Sequence, residues 1–192
     1  YFLEIAKKTS TISHQLNLND KKTILCTIHR DFNTDNEQRL KNMLNGLLGI
    51  ANTFTHSLVI PLHPRTSSML DKPIFSSLKL SLKTHPRILL TEPVSYFDML
   101  CLVDASDMVI TDSGGLQKEA YFLRKPVAVL RNTTEWTEII ESGNGWLTDD
   151  DPLLLLNACK QAITLSHENF PLLYGDGNAA QAILNNLLTH IR

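Results

Sequence analysis

The apolar periodicity of this chain switches repeatedly between two kinds of segment, and that switching restricts the fold more than any other feature. Residues 22–28 (KTILCTI), 57–62 (SLVIPL), 87–90 (RILL), 107–111 (DMVIT) and 126–130 (PVAVL) are short runs rich in leucine or β-branched residues, which predicts buried strands. Between them lie helical patterns. The clearest puts Leu40, Met43, Leu44, Leu47, Leu48 and Ala51 on one face, opened by Thr34-Asp35-Asn36-Glu37 with the spacing of a capping box. Further helices are predicted at 96–103, 116–123, 135–140, 152–164 and 178–191. The leucine run 153–156 and the Leu184, Leu187, Leu188, Ile191 pattern read as core packing. Lys72-Pro73 interrupts a helical pattern after Thr66, and residues 167–177, with Pro171, Gly175 and Gly177, read as a surface connection. Strand-helix alternation over this length implies an α/β fold: a Rossmann-like doubly wound parallel sheet with helices on both faces and right-handed crossovers. Residues 1–192 are expected to form one domain.

Composition narrows the function classes. A net charge of −2, with 20% charged and 43% apolar residues, is that of a soluble globular protein and provides no basic face for nucleic acid. Cys26, Cys101 and Cys159 are far apart and set in apolar runs, so neither a disulfide framework nor a CxxC metal or redox pair is available. Buried thiols in a reducing cytoplasm are expected. The longest leucine run is far short of the roughly 20 residues that a membrane span requires, and no charged-then-apolar leader opens the chain. A first residue Tyr1 rather than Met points to a piece of a longer polypeptide.

In open parallel sheets ligands bind at the carboxyl ends of the strands. Here those ends are polar: His29-Arg30, His63-Pro64-Arg65-Thr66, Glu92, Asp112-Ser113-Gly114-Gly115 and Arg131-Asn132-Thr133-Thr134-Glu135 follow the five strands. Within Thr111-Asp112-Ser113-Gly114-Gly115 the glycines permit close backbone approach, Ser113 can cap a helix, and the free N–H groups of a first turn favour an anion such as a diphosphate. The plainer alternative is an ordinary strand-helix turn. Neither GxGxxG nor GxxxxGK[ST] occurs, so nicotinamide and P-loop readings have no support. His29 and His63 are candidate acids, bases or phosphate donors, or else structural histidines. Their separation gives no zinc spacing, so no metal is expected. Arg131 is either a bidentate phosphate ligand or the partner of Glu135, and Glu119 either a solvated residue or a carboxylate reaching ligand hydroxyls.

TDSGGLQKEA (111–120) and KPVAVLRNTTEWTE (125–138), with IHR, PLHPRT, EPVSYFDML and the closing YGDGNAA in order, resemble the signature of non-hydrolysing UDP-N-acetylglucosamine 2-epimerases from about Lys21 onward. The resemblance implies the C-terminal half of a GT-B-like enzyme with two Rossmann-like domains and the active site between them. It implies a reaction in which UDP leaves C1 as the C2 proton is removed, and returns after reprotonation from the opposite face, with no cofactor. Ser113, Gly114 and Gly115 would then hold the diphosphate, and Glu119 the ribose. Arg131 and His29 would face the phosphates and sugar, with His29 the candidate catalytic group of this chain. His63 and Arg30 would line the cleft, where some relatives bind a second UDP-sugar. The carboxylates that handle the C2 proton belong to the N-terminal domain, absent here, so the isolated chain is expected to be inactive. A homodimer of the full-length enzyme is expected, with neither nucleic acid nor membrane as partner.

The chain departs from the family pattern in two places. Phe32 stands where HRxEN has its glutamate, leaving the activator contact open, and Trp136-Thr137 replace the Arg-Pro of TTERPE. The second variant resembles the branch acting on UDP-2,3-diacetamido-glucuronate and implies an altered sugar side. A hydrolysing epimerase, a GT-B glycosyltransferase and a non-catalytic nucleotide-binding module are the other readings.

Overall fold

Five consecutive buried residues make up β1 (Thr23–Thr27), and such a run requires cover on both faces. A computed structural model describes residues 1–18, 21–165 and 169–190 of the chain. Beside β1 lie β2 (Ser57–Pro61), β3 (Ile88–Thr91), β4 (Met108–Thr111), β5 (Val127–Val129) and β6 (Gly145–Leu147). They form one sheet in the order β3-β2-β1-β4-β5-β6, with every adjacent pair parallel. Ile24 sits in register with Leu58 on one side and Met108 on the other. The chain runs outward from β1 to β3, then returns to β4. At that reversal the connections leaving β1 and β4 diverge to opposite faces, and a crevice opens at the carboxyl ends of the two strands.

Alternation along the strands sorts the core into two layers. Ile24, Cys26, Leu58, Ile60, Met108, Ile110 and Ala128 face one side, where α4 (Glu37–Thr53), α6 (Ser76–Thr84) and α10 (Pro152–Thr164) supply Leu40, Met43, Leu47, Leu82, Leu155 and Ala158. Leu25, Val59, Val109, Val127 and Val129 face the other side, where α1 (Phe2–Thr9), α2 (Ile12–Gln15), α7 (Tyr96–Ala105) and α8 (Gly114–Phe122) supply Ala6, Ile12, Leu102 and Ala120. All three cysteines are buried and free. Among the described residues no helix is long and apolar enough to cross a membrane.

All five predicted strands are present; β6 was not anticipated, because its three residues GWL are only partly buried at the sheet edge. Helix α6 was not anticipated either. Its sequence SSLKLSLKT alternates like a strand, yet it is helical with Leu82 buried and Leu80 exposed. The capping box expected at Thr34 does not form. Thr34 closes a short turn of helix, α3 (Asp31–Thr34), and its hydroxyl donates to the Arg30 carbonyl at 3.1 Å. The extended backbone that a cap needs falls instead on Asn36, whose side-chain oxygen accepts from the N–H groups of Gln38 and Arg39, both at 3.1 Å. Helix α9 (Thr137–Glu141) starts two residues later than expected. The segment 169–178 carries neither helix nor strand, with Gly175 and Gly177 at positive φ, while His167 lies outside the described residues.

The expectation of core packing fails at the C-terminal helix. In α11 (Ala179–His190) no residue is buried, and Leu184, Leu187 and Leu188 are exposed; Ile191 lies outside the described residues. In the leucine run of α10, Leu155 is buried but Leu153 and Leu154 are exposed, as helical geometry requires of four consecutive residues. Leu47→Ala is therefore expected to destabilise the chain by about 2–5 kcal/mol. Leu187→Ala should stay within about 0.5 kcal/mol of wild type. Urea unfolding of both variants checks this, and equal losses would place α11 in the core.

Candidate functional site

Thr27, His29, Pro61, His63, Pro93, Val94, Tyr96, Met99, Ser113, Gly115, Leu116 and Glu119 enclose a cavity of about 450 Å³. It lies at the carboxyl ends of β1, β2 and β3 and against the first turns of α7 and α8, where the sheet order predicts a ligand crevice. Its wall divides by chemistry. Pro61, Pro93, Val94, Met99 and Leu116 give an apolar side suited to a flat ring, while His29, His63, Ser113 and Glu119 give a polar one.

Asp112 organises the loop after β1. Its side chain has no exposed surface, and its carboxylate accepts from the backbone N–H of His29 at 3.0 Å, that of Arg30 at 2.9 Å and Asn33 Nδ2 at 3.1 Å. The His29 ring nitrogen Nδ1 stands 3.0 Å from Asp112 Oδ1. Burial alone would raise the Asp112 carboxyl, but the His29 ring, the backbone donors and the charge of His29 together hold it below the usual carboxylate range. Asn33 also donates to the Leu130 carbonyl at 2.9 Å and accepts from Arg39 Nε at 3.2 Å, so the turn is tied to β5 and α4. Arg39 in turn pairs with Asp149 and Asp150.

His63 opens α5 (Pro64–Leu70) as its cap, its Nδ1 accepting from the Arg65 N–H at 3.2 Å. Its ring lies 5.4 Å from that of His29. Burial, then the neighbouring His29 and Arg65, push His63 below the ordinary histidine value, which keeps it neutral near pH 7.

Ser113 caps α8, its hydroxyl oxygen accepting from the Leu116 N–H at 3.3 Å, which leaves the hydroxyl hydrogen for a ligand. Gly115 is exposed on the cavity wall, and a Cβ built there would meet nothing within 4 Å. Gly114 is buried beside it. Its carbonyl accepts from Trp136 Nε1 at 2.7 Å, and a Cβ there would lie 3.4 Å from Glu135 Oε2. Glu119, half-buried one helical turn along from Gly115, is pushed above the usual carboxylate range by burial, partly offset by a hydrogen bond from Tyr96. Arg131 is held by Glu135 in a two-point ion pair, at 2.8 and 3.0 Å. Among the described residues no group of three His, Cys, Asp or Glu side chains is placed to hold a metal ion.

The family model for UDP-N-acetylglucosamine 2-epimerase matches residues 2–188. The chain belongs to that epimerase family. A UDP-N-acetylglucosamine 2-epimerase homologue of Methanococcus maripaludis is 35% identical over 183 residues, 95% of this chain and 49% of the relative. The UDP-2,3-diacetamido-2,3-dideoxy-D-glucuronate 2-epimerase of Pseudomonas aeruginosa is 34% identical over 164 residues, 85% of this chain and 44% of that protein. The crystal structure of the Methanocaldococcus jannaschii UDP-GlcNAc 2-epimerase in complex with UDP-GlcNAc and UDP superposes with a TM-score of 0.83 at 32% identity, covering 97% of this chain and 51% of that one. This chain thus spans about half the length of its epimerase relatives. Likeness to trehalose-6-phosphate synthase, at 12% identity and a TM-score of 0.59, shows the shared GT-B-like fold alone.

Within this epimerase-family chain, His29, His63, Ser113, Gly115 and Glu119 meet at the cavity as the sequence suggested, whereas Arg30, Gly114 and Arg131 do not line it. Arg30 contributes its backbone N–H to Asp112. Trp136, expected to change the sugar side, is not on the cavity wall. Its ring packs against Tyr174 and beneath the Lys118 ammonium, 4.3 Å from the ring centre, while its N–H braces the Gly114 carbonyl. Asp112, whose four donors come from residues 29–33, and the wall formed by Pro93, Val94 and Tyr96 are not among the site residues that the sequence suggests. The EPVSYFDML segment was the available signal for that wall.

Proposed function

We propose that this chain is the nucleotide-sugar-binding half of an enzyme that interconverts UDP-N-acetylglucosamine and UDP-N-acetylmannosamine by eliminating and re-adding UDP. The observation that carries the reading is the cavity itself: a glycine-walled helix start, two histidines and a half-buried carboxylate around one apolar slot. The base is assigned to the slot formed by Pro93, Val94 and Tyr96, and the ribose hydroxyls to Glu119. The diphosphate is assigned to the start of α8, where unpaired N–H groups and the helix dipole favour negative charge. As the C1–O bond breaks, its electron pair leaves with the diphosphate, and charge grows on oxygens assigned to the space beside the Ser113 hydroxyl and Gly115 at the first turn of α8. Donors fixed before the reaction act on that growing charge without reorganisation. Arg131 reaches the diphosphate only by exchanging Glu135 for it. Any effect of Trp136 on the choice of sugar passes through the Gly114 peptide.

The groups that remove and return the C2 proton are assigned to the other half of the enzyme, which in this reading is a cytoplasmic homodimer. Incubated with UDP-N-acetylglucosamine in D2O, the full-length polypeptide is expected to place deuterium at C2, and the 192-residue chain alone to place none. Turnover by this chain alone contradicts the division of labour. Binding without exchange by the full-length polypeptide favours a transferase or a non-catalytic module.

A further inference from the structure

We propose that Asp112 is a positioning residue of this site: through His29 it decides which imidazole nitrogen is offered to the cavity. The proposal rests on the nucleotide-sugar reading above, and it concerns a side chain that has no surface on the cavity wall.

The Asp112 carboxylate has four polar neighbours. Three of its neighbours, the N–H groups of His29 and Arg30 and the Asn33 amide, are donors by their chemistry. The fourth is the His29 ring, with Nδ1 3.0 Å from Oδ1. A buried carboxylate surrounded by donors is ionised, and an Nδ1 lone pair facing an anionic oxygen at that distance is repelled. Nδ1 therefore carries the hydrogen, and Nε2 becomes the nitrogen that accepts a proton when the ring is neutral and delivers one when it is charged. A carboxylate so placed also holds the ring plane, as second-layer carboxylates do for other working histidines.

His63 is fixed the opposite way. Its Nδ1 accepts the Arg65 N–H, so in the neutral ring the hydrogen is on Nε2. The two rings lie 5.4 Å apart, tilted by 38°, and both line the cavity. One wall thus presents an accepting nitrogen on His29 beside a donating one on His63. The split arises from two unrelated local features, a buried carboxylate after β4 and a helix start after β2. Nothing in the identity of the two histidines would produce it.

Two measurements test this. Long-range ¹H–¹⁵N correlation of the imidazoles in the wild-type chain is expected to show neutral His29 protonated at Nδ1 and neutral His63 protonated at Nε2. In the full-length enzyme, Asp112→Asn is expected to lower kcat about 10²-fold or more, the effect of a site histidine left in the wrong tautomer. KM should change far less, and the pH profile of kcat should change shape. A His29 ring protonated at Nε2 in the wild type, or an Asp112→Asn enzyme with unaltered kcat and pH profile, overturns the proposal. Where the variant does not fold, the wild-type spectrum decides alone. Absence of any epimerisation by the wild-type full-length enzyme would count against the nucleotide-sugar reading, and the imidazole spectrum would still judge Asp112.

Discussion

Gly115→Val is expected to cut the affinity for UDP at least tenfold, about 1.4 kcal/mol, while leaving folding stability unchanged or slightly raised. The two halves of this expectation come from one observation. Gly115 does not stand at positive φ, and a Cβ there meets no atom within 4 Å, so neither conformation nor packing calls for glycine. Inside a helix, glycine costs roughly 0.5–1 kcal/mol relative to alanine. What the position does have is a place on the cavity wall at the start of α8. A side chain added there projects into open space that the proposal gives to the diphosphate, and it separates the phosphate oxygens from the N–H groups behind it. Gly114→Val is the harsher variant, because its Cβ also approaches Glu135 and disturbs the Arg131 pair. Denaturation and calorimetry on Gly115→Val check the prediction; a stable variant with wild-type affinity removes the diphosphate from α8.

Glu119→Ala is expected to weaken UDP binding tenfold or more, since hydrogen bonds to a charged acceptor contribute about 1.5–3 kcal/mol each. Its effect on folding has the opposite sign. Burial raises the Glu119 carboxyl above its unfolded value, against a smaller lowering by Tyr96, so the folded state disfavours the ionised form. The resulting penalty is absent below the unfolded value, where the group is protonated in both states. It grows as pH rises through the interval between the two values and is complete above the folded one. Glu119→Gln should therefore be more stable than wild type at neutral pH and indistinguishable from it in strong acid, while binding UDP less well. For the wild type, UDP affinity should fall as the solution is acidified and Glu119 loses its charge. Calorimetry across pH, with the Gln variant as control, checks both signs. A Gln variant less stable than wild type at neutral pH would show Glu119 to be a structural anchor.

How much of this was legible in the chain depended on whether the controlling interaction was local. Strands buried on both faces write themselves as continuous apolar runs, and five were read because each lies in a sheet covered by helices on either side. The three-residue β6 has one buried residue and no pattern to display. Ser113-Gly114-Gly115 declared itself as a helix start because a cap and its helix are neighbours in sequence. Asp112 declared nothing, since its donors sit about eighty residues earlier and meet it only once β1 and β4 are adjacent. Arg131 shows a similar limit. The polar stretch after β5 admitted both a phosphate ligand and a Glu135 partner, and the folded chain makes the second pairing. The amphipathic pattern of α11 was read correctly as a helix and wrongly as core, because periodicity tells which face is apolar and not what covers it.

The claim that a diphosphate rests on α8 is tested most directly by calorimetric titration of the wild-type chain with UDP, UMP and uridine. A helix start that favours negative charge predicts UDP binding most tightly, UMP less so and uridine hardly at all. Equal affinities for UDP and uridine would mean that the nucleoside alone is recognised and that Ser113-Gly114-Gly115 is an ordinary strand-helix turn.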